Sequence, residues 1–206
     1  MAENKVRFGL SNVYYAVLTE GSTNAWATPV AVPGAVSLSV DANVASSDFY
    51  ADNVAYYRTF ANNGYTCTLE MAKISEDMLD DVFGMAADTN GVIREKTGVE
   101  PKPFALLFKV NGDADEEDYV FYRCVPSTKP TEGSQTTGEN GAEPQTQSFD
   151  FSALPLVTGA ASQKGLIKAK TGSTATTAVK SAWYSAVNVP ASGNGNGAAS
   201  VALFSQ

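Results

Sequence analysis

Residues 37–71 read SLSVDANVASSDFYADNVAYYRTFANNGYTCTLEM, from Ser37 to Met71. At one end Val36, Leu38 and Val40 alternate with Ser37, Ser39 and Asp41; at the other, Cys67, Leu69 and Met71 alternate with Thr66, Thr68 and Glu70. A period of two marks a strand with one buried face. Between the two strands lie about two dozen residues, where an ordinary hairpin loop has about two to five. This connector, residues 44–65, carries Phe49, Tyr50, Tyr56, Tyr57, Phe60 and Tyr65. A long loop of that apolarity is poor material for solvent and is expected to pack against a partner. Phe49, Tyr50, Tyr56, Tyr57 and Phe60 are the candidate contact residues.

Upstream, VRFGLSNVYYAVL (6–18) reads as a strand interrupted near Gly9–Asn12, and PVAVPG (29–34) leads into the strand at Val36. Downstream the period changes. Ser75 is a predicted N-cap with Glu76 and Asp77 in the first turn, where the helix dipole favours acids. Met78, Leu79, Val82, Phe83 and Ala86 then recur at helical spacing, predicting an amphipathic helix over 75–87. Phe104, Leu106, Phe108 and Val110 alternate with Ala105, Leu107 and Lys109, an acidic turn follows at 111–118, and residues 119–125 return as the second strand of a hairpin. Residues 126–147 hold only small apolar side chains and are expected to be a mobile loop. A strand is predicted over 148–156, a short one over 164–170, and a second helix over 174–187. The order of elements predicts a mainly β, α+β domain, a β-sandwich or barrel flanked by helix, over residues 1–187. Residues 188–206 read as a flexible C-terminal arm.

The chain has 206 residues, enough for one substantial core. Its net charge is −8, unevenly spread. Residues 1–150 hold 22 acids and ten bases, whereas 151–206 hold Lys164, Lys168, Lys170 and Lys180 and no acid. That asymmetry is either solubility alone or a basic segment of one copy meeting an acidic surface of the next. An acidic body argues against tight nucleic-acid binding, which draws on Lys and Arg against phosphates.

The chain contains no histidine, which removes Ser-His-Asp and Cys-His catalysis and every histidine-ligated metal site. Cys67 and Cys124 lack CxxC spacing and read as buried free thiols. Asp80 and Asp81 are adjacent on the predicted helix, about 100° apart, and so do not converge on one substrate. The acidic turn Asp113, Asp115, Glu116, Glu117 and Asp118 lacks the sixth-position glycine and flanking helices of an EF-hand. It is a candidate charged hairpin tip that resists strand-to-strand aggregation, or a candidate lumen lining. No enzyme, cofactor or metal site is predicted. The N-terminus lacks a secretory layout and no apolar run approaches membrane-helix length, so the chain is expected to stay in the cytosol or leave by another route.

Several segments resemble the major tail tube protein of long, non-contractile-tailed bacteriophages of Gram-positive hosts. They are FGLSNVYYAVL, VPGAVSLSVDAN, FYADNVAYYRTFANNGYTCTLEMAKISEDMLDDVFG, PFALLFKVNGD, YVFYRCV, KPTEGSQTTGENGAEPQTQSFDFSALPL, KGLIKAK and SAWYSAV, in that order. The resemblance implies a small β-sandwich or barrel with a flanking helix that forms hexameric rings. Stacked rings would form a tube around a tape-measure protein, later conducting double-stranded DNA into the host. It further implies tail terminator and distal tail proteins as partners, no membrane insertion, and a virion tail assembled in the host cytoplasm. In such proteins a long loop between two early strands contacts the next ring, the role implied here for 44–65. Two other readings stay open: a ring protein of a related secretion or injection machine, and a monomeric decoration module that binds glycan through its aromatic residues.

Overall fold

The computed structural model describes residues 9–112, 116–134, 136 and 144–190. In chain order the elements are β1 (Leu10–Thr19), β2 (Ala25–Trp26), β3 (Val30–Ala31), β4 (Ala35–Ala51), β5 (Val54–Met71), α1 (Glu76–Asp81), β6 (Phe104–Val110), β7 (Glu117–Pro126), β8 (Gln147–Ala153), β9 (Lys168–Lys170) and α2 (Thr177–Ala182). The mainly β, α+β class expected from the sequence is the one adopted. It is realised as one open antiparallel sheet, ordered β2-β1-β6-β7-β8-β5-β4, with β3 paired to β1 and β9 to β7.

Both faces of the sheet's middle are covered, each by one parity of the strands. Phe104, Leu106 and Phe108 of β6 join Tyr15, Leu69, Met71, Phe121, Phe149 and Phe151 in one cluster, which α1 caps with Met78 and the following turn with Val82 and Phe83. Ala105 and Leu107 face the other way, with Leu18, Val120 and Tyr122, and are covered by Leu156 and Trp183 from the C-terminal segment. A strand buried on both faces has little room for polar residues, which is why FALLF is an unbroken apolar run. Each large side chain fully buried here contributes about 1.5–3 kcal/mol of transfer free energy.

The C-terminal segment is also fastened by polar contacts. Tyr184 donates its hydroxyl to Asp118 Oδ1 at 2.7 Å and Tyr122 donates to the Asn188 carbonyl at 2.7 Å. The chain is thus held against the sheet as far as residue 188, and residues 191–206 of the expected arm lie outside the described residues.

Several boundaries differ from expectation. The break predicted near Gly9–Asn12 is a register shift between Ser11 and Tyr14, with Asn12 at φ 52°. The helix predicted over 75–87 begins as expected, with Ser75 Oγ accepting from the Met78 N–H. It ends at Asp81 because Gly84 turns left-handed at φ 68°, and the chain continues as a turn that still buries Val82, Phe83 and Met85. The helix predicted over 174–187 is confined to Thr177–Ala182. The expected mobile loop is tethered at its start: Thr131 and Ser148 exchange backbone and hydroxyl hydrogen bonds, and Thr128 Oγ1 accepts from the Asp150 N–H at 2.8 Å. Residues 135 and 137–143 of that stretch lie outside the described residues.

The largest departure is in the decisive stretch itself. Residues 44–65 are not a loop. β4 and β5 simply continue, paired from Ala35↔Met71 to Ala51↔Val54, and reverse on Asp52 and Asn53 at φ 50° and 60°. Two successive positive-φ residues make the two-residue turn whose twist matches the flanking strands.

Candidate self-association surface

β8 pairs with β5 only over Tyr65–Met71. Beyond Gly64, β4 and β5 pair with nothing but each other among the described residues, so they leave the domain as a two-stranded arm. From Ala42 to Ala51 the arm extends by nine residues, about 30 Å of strand. A register shift between Ala42 and Val44 marks its base, where Gly64 sits at φ 99° and its N–H meets Asn62 Oδ1 at 3.1 Å.

The pairing register sorts the arm's residues by face. Ala45↔Ala61, Ser47↔Thr59 and Phe49↔Tyr57 share one side, which carries no charge. Val44↔Asn62, Ser46↔Phe60 and Asp48↔Arg58 share the other. There Arg58 grips Asp48 with two hydrogen bonds, of 2.5 and 2.9 Å, holding that carboxyl below its ordinary range. Phe49, Tyr50, Tyr56, Tyr57 and Phe60 are 62–74% exposed. Covering five such rings would remove on the order of 600 Å² from water, close to the ~800 Å² that each partner of a standard interface contributes. Beside the rings, β4 presents an edge with no strand paired to it among the described residues. A two-stranded ribbon with no core face is marginal in water by itself, and an open edge is a template for another chain.

The acidic turn does not act as one patch. Glu116 pairs with Lys109 at 2.5 Å, Glu117 pairs with Lys170, and Asp118 is 3% exposed with its carboxylate committed to Tyr184. Asp118 is therefore a packing residue rather than part of a hairpin tip or a surface. Asp113 and Asp115 lie outside the described residues. Lys170, a candidate for meeting another copy, already has a carboxylate partner in its own chain. Asp81 accepts from the Tyr15 hydroxyl at 2.8 Å while Asp80 stays exposed, so the two do not form a site.

A feature that sequence reasoning missed lies at the arm's base. Gly9 and Leu10, Leu38, Val40 and Ala42, and Tyr65, Phe108, Val110, Tyr119, Phe121 and Lys168 line a cleft of about 470 Å³ between the start of β1 and the open edge of β4. Its back wall is a run of rings: Tyr119 stacks on Phe108 at 5.2 Å, Phe108 on Phe121 at 5.9 Å, and Phe121 meets Tyr65 at 5.8 Å. The Lys168 ammonium stands 4.3 Å from the centre of the Tyr65 ring. The alternation of Val36, Leu38 and Val40 predicts a buried face for β4, but Val36 and Val40 are 50% and 39% exposed and no residue of the strand is buried, because the sheet stays open beside them.

Among the described residues, no group of three or more acidic or thiol side chains is arranged to hold a metal ion, and no helix is long and apolar enough to cross a membrane. Cys67 and Cys124 are buried free thiols. No protein-family model matches this chain, and no curated protein matches it.

Proposed function

We propose that the chain is a non-catalytic structural subunit whose copies assemble through the aromatic arm and the open sheet edge. The observation that carries this reading is the arm: five exposed rings on a ribbon that its own domain leaves uncovered. Closed assemblies of identical copies are the ordinary way in which such edges and patches are satisfied. The finer form of the proposal follows the resemblance in the sequence. Hexameric rings stack into a bacteriophage tail tube, assembled in the host cytoplasm around a tape-measure protein and bounded by tail terminator and distal tail proteins. The excess of acids suits a conduit for double-stranded DNA, because a net negative wall repels phosphates where lysines would hold them.

The same rings favour a second reading, a platform on which a host glycan stacks. Negative-stain microscopy of the purified protein at high concentration separates the two. Stacked rings or tubes are the expected result. A monomer at every concentration, with affinity for cell-wall sugar, would overturn the assembly reading in favour of the glycan one.

A further inference from the structure

We infer that the cleft between β1 and β4 receives the tip of the arm from a second copy of this chain, so that each contact joins a tip to a cleft. This rests on the assembly reading above and goes beyond it by naming where the arm lands. The chemistry of the two surfaces corresponds. The cleft offers an apolar, ring-lined wall beside one ammonium group, Lys168, which has no carboxylate partner among the described residues. The tip offers Phe49, Tyr50, Val54 and Tyr56, all more than half exposed, around the carboxylate of Asp52 at the turn. Asp52 likewise has no cationic partner among the described residues. An aromatic group bearing a negative charge is what an aromatic pocket flanked by a lysine accepts.

Geometry makes the contact intermolecular. The cleft is lined by Val40, Ala42 and Tyr65, which form the arm's own base, and the tip stands about 30 Å of paired strand beyond them. A chain therefore cannot fill its own cleft without unzipping its own ladder. Because tip and cleft are different surfaces, the contact is heterologous. Each copy that offers a tip still has an open cleft, and growth continues until a ring closes or a fibre forms.

The test uses two variants of the full chain. Phe49→Ser/Tyr50→Ser removes the tip's rings and leaves the cleft open; Val40→Trp fills the cleft and leaves the tip intact. Circular dichroism first establishes that each is folded. Sedimentation velocity is expected to find each variant alone unable to grow, and an equimolar mixture to yield a species of twice the monomer mass, one tip in one cleft. Lys168→Glu, an exposed substitution with little risk to folding, is expected to weaken wild-type assembly at least tenfold, and Asp52→Lys in the same chain to restore part of it. If Val40→Trp and Lys168→Glu assemble like the parent while the tip variant does not, the cleft takes another occupant and the inference falls, though self-association stands. If the tip variant assembles like the parent, the assembly reading falls with it. If the mixture stays monomeric, the tip and the cleft do not meet.

Discussion

Gly64 lies against the end of β8 so closely that a Cβ on it would stand 2.2 Å from the Ala153 carbonyl oxygen. This contact fixes where the ribbon parts from the sheet: Tyr65 pairs with Ala153, and the next residue along the arm has no partner on that side. Gly64→Ala meets both a backbone clash and a φ of 99°, which an L side chain adopts only under strain. The clash is with backbone, so no side chain can swing away. The substitution is expected to cost more than about 2 kcal/mol, a fall in melting temperature on the order of 5 °C or more for a chain of this size. Calorimetry checks it, and a melting point unchanged from the parent would mean that the arm does not leave the sheet here.

Asn24 and Gln163 clamp two loops that lie far apart in sequence. The Asn24 N–H donates to Gln163 Oε1 at 2.9 Å, Gln163 Nε2 donates to the Asn24 carbonyl at 3.0 Å, and Asn24 Oδ1 accepts from the Thr158 hydroxyl at 2.9 Å. Both side chains are buried, at 3% and 6% exposure, and among the described residues no buried polar side-chain atom lacks a partner. Asn24→Ala strands the Thr158 groups and the Gly21 N–H that the amide served. The expected loss is about 2–3 kcal/mol, read as a lower urea midpoint at unchanged slope. Gln163→Ala should act similarly, and the double variant by less than the sum, because the two share one network.

How far the sequence could carry these conclusions depended on which interaction decided each element. Period-two patterning located β8 and the inner end of β5, because burial on one face imposes the pattern directly. By contrast, β6 and β7 are buried on both faces and read as apolar runs, and the alternation in β4 stands on a strand that buries no residue. Capping chemistry located the start of α1 at Ser75, but its end depended on Gly84 and on packing against residues 99–102, which pattern alone does not contain. The arm is illegible to pattern because its strands bury neither face and so show no simple alternation. The signals present were local: β-branched and aromatic residues on both sides of Ala51-Asp52-Asn53-Val54, with Asp and Asn at the two positions that must turn left-handed. Nothing local sets Asp118 apart from its acidic neighbours, since Tyr184, which claims its carboxylate, lies 66 positions away. The cleft depends on the sheet staying open between β1 and β4, a property of tertiary curvature.

Several buried groups in this chain resist losing their protons. Burial, with the Asp81 carboxylate against its hydroxyl, raises the Tyr15 phenol; burial alone raises Tyr122; burial and then the Asp118 hydrogen bond raise Tyr184. Burial likewise pushes the Cys67 thiol up to about 12 and the Cys124 thiol well above its ordinary value. The folded chain thus holds these protons more tightly than the unfolded chain does. Their contribution is whole below the unfolded values, about 8.5 for a thiol and about 10 for a phenol, and is lost as pH climbs from there toward the folded values. Urea unfolding is expected to give a stability that declines steadily above about pH 9 on account of these groups. At pH 8 both thiols should be inert to a disulfide reagent until denaturant is added. The phenolate absorbance of all nine tyrosines should be reached only after the sheet's dichroism is lost. Full ionisation of a still-folded protein at pH 11, or prompt thiol labelling at pH 8, would contradict this account.

Stability and assembly should separate at the arm. Phe49 and Tyr57 face each other across the ribbon, more than 60% exposed, and belong to neither apolar cluster of the domain. Replacing both with serine removes nothing from the core, so the melting point should stay within about 2 °C of the parent, as for exposed substitutions generally worth about ±0.5 kcal/mol. Polymer growth should fail at concentrations where the parent assembles, because the uncharged face of the arm loses its two rings. A core residue of similar size behaves in the opposite sense. Phe151→Ala, fully buried between Phe104 and Phe149, should cost about 3–5 kcal/mol and abolish assembly only by unfolding the chain. Paired thermal melts and sedimentation of the two variants distinguish these cases. If the arm variant melts as early as the core variant, the rings serve the fold of their own chain and are not held out for another.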